Sequence, residues 1–351
     1  MMYGNHLRYA ANIIKGYDGN VPLSGWLRDF FKENKQMGSR DRKTVAELVY
    51  GYYRLGHLQY DNMEERLLAG YNKTPKQGAI FPWINELSDG IDTETFSKSF
   101  LIQPDLFLRI RPGNENAVHE QLKHEGISYY SCGNHCLGMP NSTKIDQLLD
   151  IDRQVVIQDR NSQKTGTLLP TLNNPAVWDC CAASGGKSIM AADQLKEIKL
   201  TVSDIRPSII NNLERRFAKA GISEYIAFVA DLSSANTVLP VNDYDLIIAD
   251  VPCSGSGTWS RTPESLYFFK EEKIKYYQGL QKKIVSRVIP SVKKNGYLLY
   301  ITCSVFAKEN EEVVAHIQQN HSLRLVRSEL FKGYEEKADT LFAALFTAQT
   351  A

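Results

Sequence analysis

AVWDCCAASGGKS, residues 176–188, decides the fold. An apolar run, AVWDCCA, breaks into Gly185-Gly186, and a helical segment, SIMAADQLK (188–196), follows. From about residue 166 onward this strand–helix alternation repeats. KLTVSDI (199–205) reads as the next strand and PSIINNLERRFAKAG (207–221) as the next helix. YIAFVAD (225–231), YDLIIAD (244–250) and GYLLYITCS (296–304) are three more short apolar strands, and a loop and a long basic helix follow Asp250. The pattern predicts an α/β fold, a Rossmann-like doubly wound parallel sheet with its ligands at the carboxyl ends of the strands.

Those strand ends carry the polar residues. The first strand ends at Asp179 and runs into the turn Cys181, Ala182, Ala183, Ser184, Gly185, Gly186 and Lys187. Small residues there let backbone N–H groups approach a ligand closely. The second ends at Asp204, about 20 residues beyond the glycine turn, where an acid can accept both ribose hydroxyls of a nucleoside cofactor. The third ends at Asp231, placed to meet an adenine edge, and the fourth at Asp250. One such acid alone reads as a cap or turn residue; four on consecutive strands do not. The turn is neither G-x-G-x-x-G nor a Walker loop, because Cys181 stands where that loop needs its first glycine. Without a pyrophosphate cradle, the acids and small residues fit S-adenosylmethionine.

Two cysteines narrow the reaction. Cys253 lies in DVPCSGSG (250–257) and Cys303 in YITCS (300–304), at the ends of strands expected to be neighbours. A lone cysteine is usually a buried small hydrophobe. Both of these fall on the ligand face, flanked by serine and turn-forming residues. Cytosine carbon 5 is too weak a nucleophile to take a methyl group unaided, and a thiolate adding to carbon 6 activates it. Methyl transfer to oxygen or to an exocyclic nitrogen needs no such cysteine. The chemistry does not say which thiol attacks. A further pair, Cys132 and Cys136, brackets Gly-Asn-His, but no second ligand pair lies nearby, so no metal is expected.

The rest of the 351 residues divides by pattern into a helical region at 1–95, a small α+β module at 96–165, and the α/β domain at 166–351. In RDRKTVAELVYGYYRLGHLQY (40–60), Val45, Leu48, Val49, Tyr52, Tyr53 and Leu55 recur near helical spacing, with Ser39 as the expected cap. In the module, DLFLRIRP (105–112) reads as a strand, ENAVHEQLKHEGI (115–127) as a helix ending at Gly126, and ISYYSC and QVVIQD as strands. No apolar run is long enough to span a bilayer, so no membrane partner is expected. The segment at 1–19 has no apolar core or cleavage site of a secretory signal. Six cysteines, two of them adjacent, suit a reducing cytoplasm rather than a disulfide framework. Net charge is only +1, yet residues 1–56 hold nine Lys/Arg against five Asp/Glu, and 257–294 nine against three. That local excess suits a phosphate backbone, although solvated helix faces account for it equally well.

Taken together these residues resemble the Sun/RsmB/NOP (NSUN) family of RNA cytosine-5 methyltransferases, bacterial RsmB-like. DCCAASGGKS resembles that family's D-x-C-A-A-P-G-G-K-T motif, DVPCSGSG its D-A-P-C-S-G-T-G motif, and YITCSVFAKENEEVV its S-T-C-S…E-N-E motif. VVIQDRNSQ, LFLRIRP and ADTLFAALF resemble its V-Q-D-x-x-S, L-R-V-N-P and D-G-F-F-x-A stretches, and GSRDRKTVAELVYGYYR a NusB-like helical region, here shorter than a whole NusB-like domain. The resemblance implies a class I methyltransferase that uses S-adenosylmethionine and acts as a cytoplasmic monomer on RNA. Ribosomal RNA, the small subunit's first, is the expected substrate and transfer RNA the alternative. It implies Cys303 as nucleophile, Cys253 in release of the adduct, and Asp250 on the base at N3 or N4. Residues 181–187, Asp204, Asp231 and Asp250 would hold the cofactor, with Lys187 also near the base. The sequence departs from the family at Ser184 (for Pro), Arg160 (for a frequent Glu), Arg111 (for Asn) and Thr340-Leu341 (for Gly-Phe). DNA cytosine and N6-adenine methyltransferases would carry Pro-Cys-Gln or Asn/Asp-Pro-Pro-Tyr/Phe motifs, which are absent. A non-catalytic RNA-binding assembly factor would not need the paired cysteines and acids.

Overall fold

The computed structural model describes residues 2–133, 135–239 and 243–348. The chain forms two compact units, Met1–Pro104 with Thr258–Lys273, and Asp105–Gly257 with Ile274–Ala351. The first unit therefore ends beyond residue 95 and includes a segment from the middle of the α/β region. The second contains both the small module and the large sheet.

The first unit holds α1 (Met2–Gly16), α2 (Leu23–Glu33), α3 (Ser39–Arg54), α4 (Met63–Asn72), α5 (Thr93–Ser99) and, from the later segment, α10 (Pro263–Phe268). α3 buries Val45, Leu48, Val49 and Tyr52 against Ile13, Leu27 and Leu67, as its spacing predicts. Ser39 is not its cap: it is the first helical residue, and Gly38 precedes it in an extended conformation with no side-chain bond. α4 is capped by Asn62, whose side chain accepts the Glu65 N–H at 2.9 Å. α3 and α4 meet at Gly51 and Gly70, where a Cβ on Gly70 would lie 2.2 Å from the Gly51 carbonyl oxygen. The later segment is bound in by Glu264, which accepts the Leu23 N–H at 3.2 Å, and by Arg54, which donates to the Ser260 carbonyl at 2.9 Å.

The second unit begins with a four-stranded antiparallel sheet, order β2-β3-β1-β4. Its strands are β1 (Leu106–Ile110), β2 (Tyr130–Ser131), β3 (Cys136–Met139) and β4 (Val155–Ile157), with α6 (Glu115–His124) between β1 and β2. Along β1 the side chains alternate. Leu108 and Ile110 pack with Val118 and Leu122 of α6, while Phe107 and Arg109 take the other face. A short helix, α7 (Arg160–Lys164), leads into the large sheet.

That sheet has the order β10-β11-β9-β8-β5-β6-β7. Its strands and helices are β5 (Ala176–Asp179), α8 (Gly186–Leu195), β6 (Lys199–Asp204), α9 (Pro207–Ala220), β7 (Tyr225–Val229), β8 (Tyr244–Asp250), α11 (Glu272–Val288), β9 (Val292–Thr302), α12 (Glu311–Asn320), β10 (Leu323–Phe331) and β11 (Leu341–Ala348). β7, β6, β5, β8 and β9 are parallel. β11 pairs antiparallel with β9 and β10 antiparallel with β11, so the sheet is mixed rather than wholly parallel. Its central strands are buried on both faces, which is why they read as continuous apolar runs. Trp178, Ile247, Leu298 and Phe346 pack toward Val285 and Ile317. Val177, Ile248, Leu299 and Leu345 pack toward Ile189 and Phe217. No helix among the described residues is long and apolar enough to cross a membrane.

Candidate active site

The carboxyl ends of five neighbouring parallel strands supply the candidate residues. Asp179, Asp204 and Asp250 end their strands; Asp231 lies two residues beyond β7 and Cys303 one beyond β9. The turn after β5 is held from below. Cys180 N–H donates to the Ile248 carbonyl and Ala182 N–H to the Ser203 carbonyl, each at 2.9 Å. Ala183 and Gly185 both take positive φ, 46° and 84°. Gly185 has no alternative, because a Cβ there would lie 2.7 Å from the Phe217 ring. Ser184, the departure from proline, is fixed another way. Arg216 donates to its carbonyl and hydroxyl at 2.8 and 2.9 Å and pairs with Asp152 at 2.6 Å.

Asp204 accepts the Ala183 N–H at 3.1 Å and the Arg206 N–H at 2.9 Å, and the exposed Arg206 guanidinium covers its outer side at 3.0 Å. Asp231 accepts the Ser233 N–H at 2.9 Å and hydroxyl at 2.6 Å, and these bonds hold its carboxyl below the usual range. Lys187, in the first turn of α8, is buried. Its Nζ donates to Asp250 Oδ2 and to Ser162 Oγ, both at 2.9 Å. Asp179 is fully buried beneath the turn and accepts the Ser188 hydroxyl at 2.6 Å. Burial pushes it up to about 7.

Cys253 and Cys303 come together, with sulfurs 3.2 Å apart. That is well beyond the roughly 2.05 Å of a disulfide, and both are free thiols. The hydrogen bond to the Cys303 sulfur, then burial, pushes Cys253 well up. The raised Cys253 thiol favours its protonated form, and either sulfur can donate across the 3.2 Å contact.

Glu309 ties the two cysteine loops together. It is fully buried and accepts the Ser254 N–H at 2.8 Å, the Ser304 hydroxyl at 2.8 Å and Gln281 Nε2 at 2.9 Å. Ser254 and Ser304 each follow a cysteine directly, so one carboxylate fixes both. Burial raises its carboxyl, and the donors offset only part of that rise. Gln281 Nε2 also reaches the Pro252 carbonyl at 3.1 Å. Sequence reading missed these partners. Glu309 stood in the quoted ENE stretch and Ser162 in the quoted V-Q-D-x-x-S stretch; Gln281 gave no signal. Among the described residues no group of three or more His, Cys, Asp or Glu is arranged to hold a metal, Cys132 and Cys136 included.

A family description, 16S rRNA methyltransferase RsmB/F, matches residues 165–345. The chain is 31% identical over 297 residues to the probable ribosomal RNA small subunit methyltransferase B of Bacillus subtilis, covering 80% of this chain and 65% of that one. It is 27% identical over 231 residues to ribosomal RNA small subunit methyltransferase B of Proteus mirabilis, covering 61% and 51%. The chain thus spans between about half and two thirds of the length of these relatives. The crystal structure of PH0851 superposes with a TM-score of 0.78 at 18% identity over 97% of this chain and 98% of that one. NSun6 from Pyrococcus horikoshii superposes with a TM-score of 0.63 at 14% identity, over 73% and 94%. At these identities the superpositions speak for the fold, that of the class I methyltransferases.

Proposed function

Because the chain belongs to the 16S rRNA methyltransferase RsmB/F family, we propose that it methylates carbon 5 of a cytosine in RNA, with Cys303 as nucleophile and Cys253 as its partner. The observation that carries this reading is the pair of thiols 3.2 Å apart at adjoining strand ends. The names of the relatives support small-subunit ribosomal RNA as substrate.

The residues fit S-adenosylmethionine. Ala183 and Gly185 bend the turn so that small residues face the ligand side, and Asp204, anchored by Ala183, stands ready for ribose hydroxyls that would compete with the exposed Arg206. Asp231 would meet the adenine, with its orientation set by Ser233. When bound, S-adenosylmethionine supplies the methyl group.

The target cytosine must leave its stack to expose its ring face. Cys303 sulfur, as thiolate, bonds to carbon 6, and the electron pair of the 5,6 double bond becomes available at carbon 5 for methylation. A base then takes the carbon-5 proton, the C–H electron pair re-forms the 5,6 double bond, and the sulfur leaves carbon 6 with the S–C pair as a thiolate. The Cys253 S–H steadies the Cys303 thiolate as it attacks and as it leaves. Asp250 accepts from the base edge while Lys187 holds its carboxylate in place.

The test is methyl transfer to small-subunit ribosomal RNA followed by bisulfite sequencing, with transfer RNA as the second substrate. The expected result is protection of one cytosine by the wild type and of none by Cys303→Ala. Cys253→Ala should accumulate a covalent protein–RNA band on a denaturing gel. Methyl transfer by Cys303→Ala would overturn the nucleophile, and absence of the trapped band would overturn the role in release.

A further inference from the structure

We propose that a cleft formed by β1, the segment between β2 and β3, α7 and α8 binds a backbone phosphate of the RNA strand. The proposal rests on the RNA reading above. The cleft has a volume of about 350 Å³, and Arg109, His135, Cys136, Arg160, Lys164 and Asp193 are among its walls.

Its charge is out of balance. Arg109 and Arg111 both pair with Asp193, at 2.6 and 2.8 Å, with side-chain exposures of 7%, 14% and 6% for the three residues. Arg160 and Lys164 likewise share Glu336, at 2.7 and 3.4 Å. These four cations share Asp193 and Glu336, and Asp159 is the further carboxylate whose charge reaches the Cys136 wall. Burying an ion costs several kcal/mol unless it is compensated. Structural need accounts for part of this. Arg111 spends its donors on Asp193 and on the carbonyls of Asp152 and Ala220. Arg109 does not: Nε reaches Gln158 and Nη1 Asp193, but the buried Nη2 has no acceptor. Nε of Arg160 is equally without one. A phosphate oxygen is the acceptor that guanidinium forks fit best.

One of the departures from the family pattern falls here: Arg160 replaces a frequent glutamate. The exchange adds positive charge to the cleft. The neighbouring thiols do not offset it, since burial pushes Cys132 up and Cys136 to about 12, and both stay neutral. His135 faces Glu115 at 3.2 Å and adds no free carboxylate to the cleft.

The position suits a strand threading toward Cys303. Arg160 and Lys164 lie one turn apart on α7, and Ser162 of the same helix accepts from Lys187, which pairs with Asp250. On α8, Asp193 follows Lys187 by six residues, about 9 Å along the axis. A phosphate held here would fix the register of the strand without reading its sequence.

The test compares the full-length wild type with the double variant Arg160→Gln/Lys164→Gln, binding a short fluorescein-labelled single-stranded RNA across a series of salt concentrations. Loss of one phosphate contact should lower the salt slope by about 0.7, which is about fivefold in affinity at 0.1 M salt. KM for RNA should rise while kcat holds. Unchanged slope and affinity in the double variant, with the wild type binding normally, would overturn the phosphate site alone. A wild type that binds no RNA would overturn the functional reading and this site with it. Inorganic phosphate that raises the melting temperature of the wild type but not of the variant, with RNA binding equal in both, would mark a free-anion site and overturn the RNA assignment. If the double variant melts early, Lys164→Gln alone, at a side chain 38% exposed, gives the same readout.

Discussion

Asp179 is wholly buried, and of its two carboxylate oxygens only one meets a donor, the Ser188 hydroxyl. Its folded-state value, about 7, lies above the unfolded one of 3.8. The folded protein therefore binds this proton more tightly than the unfolded chain does. The group makes no difference below its unfolded value, weighs against folding increasingly as pH climbs toward 7, and is constant above that. Asp179→Asn should remove this slope. Thermal melts of both proteins between pH 4 and pH 8 should show the wild type losing ground to the variant up to about pH 7 and holding a fixed gap beyond. Equal slopes would mean that the carboxyl ionises normally in place. At this scale the sequence was legible where chemistry repeats at strand ends: the four aspartates and two cysteines all lie on one side of the sheet. It was silent where a side chain acts through a partner far along the chain. Ser162 meets Lys187 across 25 positions and Gln281 meets Glu309 across 28, and no local pattern encodes either pairing.

Among the elements, the seam between the Cys253 loop and the end of β9 is closed by a glycine. Gly257 N–H donates to the Cys303 carbonyl at 2.9 Å, and its own carbonyl accepts the Thr340 N–H at 2.9 Å. A Cβ at this position would sit 1.9 Å from the Thr340 carbonyl oxygen. Gly257→Ala must push the Cys253 loop, the start of β11, or both. Overpacking of this kind costs about 1–3 kcal/mol. Because a 1 Å displacement of a reacting group can cost about a hundredfold in rate, activity should fall further than stability. Melting temperature and single-turnover methylation on the same preparation separate the two, and a variant with wild-type turnover would show that the seam does not position the thiol. The apolar strands were legible because burial on both faces leaves little else for them to be. β10 was not, since its exposed positions, including Arg324, Val326, Arg327 and Ser328, break the run that marks the other strands. The cap of α3 was misplaced by one residue because Gly38 in extended backbone takes that place with no side chain at all.

At the scale of the whole molecule, the amino-terminal helices are incomplete without residues 258–273. Trp259 and Leu266 are buried to within 1% in that unit, Trp259 against Phe81 and Trp83. A chain cut after Pro104 should keep much of its helix by far-ultraviolet circular dichroism but bind a hydrophobic dye and melt without a sharp transition. Linking residues 258–273 to its end should restore cooperativity; a sharp melt without them would show that the helices need no help. Composition shifts along a sequence mark boundaries well only when each unit is one continuous stretch, which is why this insertion could not be read in advance. The same arrangement has a cost in time. On the ribosome the segment that closes the helical unit emerges about 150 residues after the helices themselves. At about 5–20 residues per second, that is on the order of 8–30 s of synthesis. Codons between residues 104 and 258 set the length of that exposure, although none of them encodes any part of the unit left waiting.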